Sequence, residues 1–116
     1  MEKQGTDQSL IAHPFSYKDL VSYHEGSIVS RTILNYKTGT ITVFAFDAGQ
    51  SLSEHTAPFD ALIEIVEGTG NITIEGQEHI VKTGEQIIMP AHKPHSVNAN
   101  QKFKMVLIMV RADNAG

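Results

Sequence analysis

Apolar residues in this chain recur mostly at every second position or in runs of about four to eight. Turn-forming residues separate these runs about every eight to twelve positions, which is typical of short antiparallel strands. The predicted strands cover residues 27–34, 40–49, 61–68, 71–76, 77–84, 85–90 and 102–111. The pattern therefore predicts an all-β fold, and it favours a small antiparallel β-barrel or jelly roll over a sandwich of two open sheets.

A single helical pattern precedes the first strand. Ser16 is the expected cap of a short helix over residues 16–24, with Asp19 as its acidic partner three residues on. At 116 residues without a long linker, the chain has the size of one domain. We predict an N-terminal arm over residues 1–26, which carries this helix, and a barrel domain over residues 27–116.

The last predicted strand is apolar on both faces, so a second layer must cover its outer side. Leu62 and Val66 add a further apolar face on the strand 61–68. Two arrangements would cover these side chains. Either a second copy of the chain packs on them, or the first thirty or so residues fold back onto the same protomer.

Composition narrows the range of functions. The chain contains no cysteine, which excludes a disulfide framework, a thiolate zinc site and a cysteine nucleophile. A cytoplasmic location is expected, since the first residues lack a signal-peptide pattern and no apolar run is long enough for a membrane helix. The net charge is -4 and the Lys and Arg residues are scattered, so neither nucleic acid nor a membrane is an expected partner.

Two histidines stand out by their positions. His55 follows the turn that closes the second predicted strand, and His95 follows another strand in the stretch PAHKPHSV. In an antiparallel barrel, two such strand ends can lie side by side. The imidazoles would there bind a divalent metal, or act as acid and base near neutral pH. Alternatively, each histidine caps a strand or bonds to a backbone carbonyl and forms no site.

Glycine, histidine and proline recur in two motifs with characteristic spacing. The residues in register are Gly49, His55 and Gly68 in the first motif and Gly84, Pro90 and His95 in the second. Over about residues 39–111 the chain thereby resembles the cupin superfamily, in particular its small single-domain members. The resemblance implies a cupin barrel, the double-stranded β-helix, and it points to a homodimer.

The departures from these motifs concern the metal ligands. In cupins that bind metal, the ligands usually come from two His and one Glu of the first motif and the His of the second. His55 and His95 occupy two of those slots here, whereas Ala57 and Ala61 occupy the others. The resemblance therefore implies a degenerate metal site.

Replacement ligands would have to come from the strand ends near the barrel opening. Asp60, Glu54 and His92 are the candidates, with Asp60 closest to the vacant slot. Glu64 is expected to face away, because strand alternation groups Ala61 with inward-facing neighbours. Any ion held by the imidazoles would be a divalent transition metal such as Zn, Ni, Fe, Cu or Mn.

Three functions follow from these features, and catalysis itself is left open. The first is a barrel that binds a small, partly apolar molecule, with His55 and His95 as polar anchors. Its predicted lining residues are Ala57, Ala61, Ile63 and Met89, unless Phe44, Phe46, Met105 and Met109 fill the space. The second is a metal-dependent enzyme of the dioxygenase, isomerase or decarboxylase type. The third is an interaction scaffold, since a fold does not fix a function.

Overall fold

The computed structural model describes residues 4–112, which form strands and two short 3-10 helices. In chain order the strands are β1 (Gly5–Thr6), β2 (Ile28–Tyr36), β3 (Gly39–Phe46), β4 (Ser51–His55), β5 (Phe59–Ile74), β6 (Gln77–Lys82), β7 (Gln86–Met89), β8 (His95–Asn98) and β9 (Phe103–Arg111). The 3-10 helices, Gln8–Leu10 and Tyr17–Asp19, precede β2. None of the helices in this range is long and apolar enough to cross a membrane.

The strands pair antiparallel in the order β1-β2-β3-β9-β5-β8-β4, and β6 and β7 also pair with β5. The long strand β5 belongs to two sheets. Its first part pairs with β7 and β9, and its second part pairs with β6 and β8. The path of strands ends at β1 and β4, so the sheet is not closed. The predicted all-β jelly-roll class is confirmed.

β5 is longer than the sequence pattern indicated. Gly68 and Gly70 suggested a turn between two short strands, but β5 is continuous over 16 residues. Gly68 has a φ of 82° next to a register shift that begins after Ile65, so the strand bends there at a bulge and does not end. Gly70 faces inward, where Phe103 and Ile65 occupy the space that a side chain would need.

The arm is less helical than residues 16–24 indicated. Only Tyr17–Asp19 forms a 3-10 turn, and Ser16 stands at its N-cap without a side-chain hydrogen bond. Val21 is instead buried against the sheet. A helix of this length is marginal in water, so packing of the segment on the sheet decides its conformation.

The arm covers part of the outer face of the sheet. Val21 packs there with Val43, Ala45 and Val106, all of them buried. A hydrogen bond of 2.6 Å from Tyr23 Oη to a carboxylate oxygen of Glu67 ties the same segment to β5. The arm thus folds back onto its own protomer, which is one of the two arrangements expected for this face.

The inner core lies between the two sheets. Its centre is the stacked ring pair of Phe46 and Phe103, with centroids 4.6 Å apart. The largest of the other fully buried residues in this core are Ile63, Ile65, Ile72 and Met105. Phe44 and Met109, by contrast, are only partly buried at the margin of this cluster. The interior around the ring pair is therefore filled, and space for a ligand has to be sought at the margin.

Candidate functional site

Two connections and the residue after β9 meet at one end of the jelly roll, which we call the mouth. Residues 56–58 join β4 to β5, residues 90–94 join β7 to β8, and Ala112 follows β9. The backbone N–H of His92 donates to the carbonyl of Ala57 at 2.8 Å, and that of Ala112 donates to Pro58 at 3.1 Å. These bonds bring together the ends of five strands. The side chains there that matter for a site are those of His55, Ala61, Met89, His95 and Met109.

His55 and His95 face each other across β4 and β8. They are register partners, with ring centres 4.4 Å apart and ring planes at 69°. His95 is buried, with 7% of its surface exposed, whereas His55 lies exposed at the rim. The two strand ends thus lie side by side, which is what a joint role of the imidazoles requires.

Both histidines turn the same ring nitrogen toward a backbone carbonyl. Nδ1 of His55 lies 2.8 Å from the oxygen of Ser53, and Nδ1 of His95 lies 3.2 Å from that of Lys93. A carbonyl oxygen only accepts hydrogen bonds, so each Nδ1 carries the hydrogen and donates it. Each neutral ring therefore keeps its lone pair on Nε2.

The pKa of His95 is lowered from its ordinary value of 6.5, chiefly because burial disfavours the charged imidazolium. The neighbouring His55 lowers this pKa further, and the hydrogen bond to Lys93 opposes the shift. At neutral pH the buried ring is therefore uncharged. Its Nε2 then accepts a hydrogen bond or binds a metal, and it cannot donate.

Ala61 forms an apolar wall of the mouth between two methionines. Its register partners are Met89 on β7 and Met109 on β9. Ala61 and Met89 are each 3% exposed. Ile63, two residues along β5, has no exposed surface and belongs to the filled core, whereas Ala57 lies partly exposed in the connection before β5. The position that the cupin resemblance assigns to a carboxylate is thus an alanine, with a methionine as its register partner on each neighbouring strand.

Thr40 is a residue of this region that the sequence analysis missed. It is the register partner of Met109 on β3, and its hydroxyl oxygen is buried without a hydrogen-bond partner among the described residues. The alternation in TITVFAF groups Thr40 with Phe44 and Phe46, which belong to or pack against the inner core. That alternation was the available signal, but it does not show which strand pairs with β3.

Asp60, His92 and Glu64 do not complete a site with the histidine pair. Asp60 accepts a hydrogen bond of 2.9 Å from the backbone N–H of Ala91, and Glu64 accepts one of 3.5 Å from Gln86. Within residues 4–112, no group of three His, Cys, Asp or Glu side chains is placed to hold an ion. The imidazole pair therefore lacks the third nitrogen or oxygen donor that a stable divalent site normally needs.

A family model described as a cupin domain matches residues 42–111. Among curated proteins, none matches the chain.

Solved structures include several similar chains. A protein of unknown function from Streptococcus pyogenes is 30% identical, with a TM-score of 0.89 over 98% of this chain and 100% of that one. A cupin 2 conserved barrel protein from Leptotrichia buccalis is 38% identical, with a TM-score of 0.83 over 85% of this chain and 48% of the other. A cupin superfamily protein from Desulfitobacterium hafniense is 27% identical, with a TM-score of 0.81 over 86% and 92%.

Proposed function

The chain belongs to the cupin family, and from that premise we propose that its mouth binds a small, partly apolar molecule that carries a hydroxyl or N–H group. The single observation that carries this proposal is the paired orientation of His55 and His95. Each ring donates its Nδ1 hydrogen to a backbone carbonyl, so each Nε2 keeps one lone pair. Two acceptors side by side select a ligand that donates.

The surroundings of the pair favour a ligand that is otherwise apolar. Ala61, Met89 and Met109 offer methyl and thioether surface, and methionine adapts its shape to irregular or aromatic groups. The unpartnered hydroxyl of Thr40 supplies one further polar contact beside Met109. An anion is disfavoured, because the lowered pKa keeps His95 neutral and no Lys or Arg is among these lining residues.

A second candidate is a metal-dependent cupin enzyme of the dioxygenase, isomerase or decarboxylase type. It is favoured by the two imidazoles, whose ring centres lie 4.4 Å apart. Its divalent ion would depend on water or substrate for the remaining ligands, because Ala57 and Ala61 supply none. We therefore place it behind the binding function.

The binding proposal predicts a preference among three probes that share the toluene ring and differ in the para substituent. In metal-free protein at pH 7.5, p-cresol should bind about fivefold more tightly than toluene or p-toluate, since one neutral hydrogen bond contributes roughly 1 kcal/mol. The methyl resonances of Met89 and Met109, labelled with carbon-13, report binding at the mouth. Binding of p-cresol should weaken as the pH falls through the lowered pKa of His95, because the protonated ring no longer accepts.

Two variants test which residue causes this preference. His95→Ala should abolish the advantage of p-cresol over toluene, whereas His24→Ala, at an exposed site outside the mouth, should keep it. Equal affinity for p-cresol and toluene in the wild type would show that the histidines anchor nothing. A preference for p-toluate would show that the mouth selects an anion.

We also propose that the chain forms a homodimer through the part of the outer sheet face that the arm covers only partly. Strand register aligns an apolar row across five strands, made up of Leu34, Ile41, Ile108, Leu62 and Ile88. Four strand spacings give this row a length of about 19 Å. Ile88 and Val110 at this face are 64% and 58% exposed.

Two shallow cavities of about 270 and 290 Å³ share Leu34 and Ile41 and extend the apolar surface toward Phe15 of the arm. An exposed apolar patch rimmed by polar residues favours an interaction site, and this supports the proposed interface. A two-fold axis through the row would place it against its own copy, which is the commonest geometry of soluble oligomers.

The dimer predicts different outcomes for two matched isoleucines. Light scattering after size exclusion should give the wild type about twice the chain mass of 12.7 kDa. Ile88→Glu should reduce this to the monomer, because it buries a charge in the interface. Ile80→Glu, at a 62% exposed position on β6, should leave the dimer intact. A wild type of 12.7 kDa, or equal effects of the two changes, would contradict this interface.

A further inference from the structure

The outer face of the second sheet carries a polar cavity that shares no residue with the mouth. This sheet is made up of β6, the second part of β5, β8 and β4. Ile72 of β5 lies in the inner core, so its neighbour Asn71 faces the other side of the sheet. A cavity of about 210 Å³ opens there, lined by Thr69, Asn71, Ile80, Asn100 and Gln101. None of these lining residues carries a charge.

Asn71 is an unexpected residue for its position. It lies inside a strand, where asparagine is depleted, and yet only 6% of its surface is exposed. Register places Ile80 of β6 and Asn98 of β8 on either side of it. Where a polar residue runs against the propensity of its element and is also buried, a functional role is expected.

Glu78 fixes the side-chain amide of Asn71. Nδ2 of Asn71 donates to a carboxylate oxygen of Glu78 at 3.0 Å, and because a carboxylate only accepts, the orientation of the amide follows. An amide has two N–H groups and an oxygen that accepts. Among residues 4–112, Glu78 takes up one of these N–H groups, which leaves a donor and an acceptor of the same amide for a ligand. The charged partner holds both in place before a ligand arrives.

The other polar side chains of the cavity also combine donor and acceptor groups. The amides of Asn100 and Gln101 and the hydroxyl of Thr69 each donate and accept hydrogen bonds. Ile80 adds an apolar surface that is 62% exposed. A sugar ring has the matching chemistry, because its hydroxyls both donate and accept while its C–H groups form an apolar patch. An ion would gain no ion pair from this lining.

We propose that this cavity binds one residue of a neutral sugar. Its hydroxyls would bond to Asn71, Asn100 and Gln101, and its C–H groups would pack against Ile80. The volume of about 210 Å³ lies below the roughly 300 to 1,000 Å³ of sites for drug-sized ligands, so a single ring is the unit that fits. The inference goes beyond binding at the mouth and does not depend on it.

A polar row continues from the cavity across the sheet. Asn71 is the register partner of Asn98, which is in turn the partner of Ser51 on the edge strand β4. Two strand spacings give this part of the row a length of about 10 Å. The end of a glycan chain would contact this row as well as the cavity, whereas a free monosaccharide would contact the cavity alone.

The experiment is an NMR titration of the full-length protein, labelled with nitrogen-15, with the methyl glycosides of glucose, galactose and mannose. The side-chain amide resonances of Asn71, Asn100 and Gln101 report on the cavity. At least one of the three sugars should shift them, with a dissociation constant of roughly 1 mM, as a few neutral contacts provide. A tetrasaccharide of that sugar should bind more tightly if the ligand is a glycan chain, and equally well if it is a free sugar.

Two exposed glutamines form a matched pair of variants. Gln101→Ala should weaken binding about fivefold, as expected for the loss of one neutral hydrogen bond. Gln77→Ala, on β6 but outside the cavity, should leave binding unchanged. No shift with any of the three sugars, or equal effects of the two variants, would overturn the proposal. Shifts confined to the methyl groups of Met89 and Met109 would also overturn it, because the sugar would then bind at the mouth.

Discussion

Replacing Gly68 with alanine is expected to lower the free energy of unfolding by about 3 kcal/mol. Gly68 has a φ of 82°, in the left-handed region, where a side chain costs roughly 1 to 2 kcal/mol. An added Cβ would also lie 2.6 Å from the carbonyl oxygen of Lys102 and 3.0 Å from Cβ of Phe103. Backbone atoms cannot yield as a flexible side chain does, so overpacking adds roughly a further 1 to 3 kcal/mol.

Gly84→Ala is the matched control for this change. Gly84 has a nearly identical φ of 88°, but an added Cβ would meet no heavy atom within 4 Å. Only the conformational cost of roughly 1 to 2 kcal/mol remains there. Urea denaturation measures both variants through the shift of the midpoint at constant slope. Equal losses at the two positions would mean that the close approach at Gly68 relaxes freely.

The bulge next to Gly68 also positions both parts of the candidate site. Before it, β5 places Ala61 between Met89 and Met109; after it, β5 pairs Ile74 with His95. A single strand thus contributes to the apolar wall in one sheet and supports the histidine pair in the other. A change that straightens or breaks this bend should therefore disturb the mouth as well as the core.

Local periodicity was enough to predict β2, β3, β9 and the inner face of β5. Alternation from Ala61 through Ile63 to Ile65 indicated three inward side chains, and their exposures are 3%, 0% and 0%. β2 and β3, the first two predicted strands, form a hairpin. In these elements the signal lies within a few residues, so the sequence alone suffices.

The features that the sequence did not reveal depend on partners far along the chain. β4 and β8 are short and were not among the predicted strands, yet their pairing sets the distance between His55 and His95. The position of Thr40 depends on pairing with β9, and that of Met109 depends on pairing with both β3 and β5. Neither hydrophobic period nor turn chemistry specifies which distant strand becomes a neighbour.

The outer face of the sheet was likewise predicted only in part. The apolar pattern of β9 indicated that something covers it, but not what does so. Val21 and Tyr23 of the arm cover the part near Val106, and Ile108 packs against this cluster, while Ile88 and Val110 stay exposed. If the proposed dimer forms, the two arrangements divide the face between them, with the arm on one part and the second copy on the other.

Ala61→Glu is expected to convert the mouth into a divalent metal site. The glutamate would stand in the slot where the cupin resemblance expects a carboxylate, and would join His55 and His95 as a third donor. Affinity for Zn(II) should rise about a hundredfold or more, since even the loss of an outer partner of a ligand typically costs 10- to 100-fold. Without metal, a carboxylate buried between Met89 and Met109 should lower the free energy of unfolding by roughly 2 to 4 kcal/mol.

Ala61→Gln separates ligation from bulk in this experiment, because it has the size of glutamate but no charge. Both variants should lose stability without metal, and thermal unfolding with added Zn(II) should distinguish them. An ion at 100 times its dissociation constant adds about 2.7 kcal/mol to a protein that binds it, so Zn(II) should restore most of the loss in the Glu variant and none in the Gln variant. If Zn(II) stabilises neither, position 61 does not face the histidine pair, and the convergence of these strand ends on one space is wrong. If it stabilises both, the ion binds elsewhere on the chain.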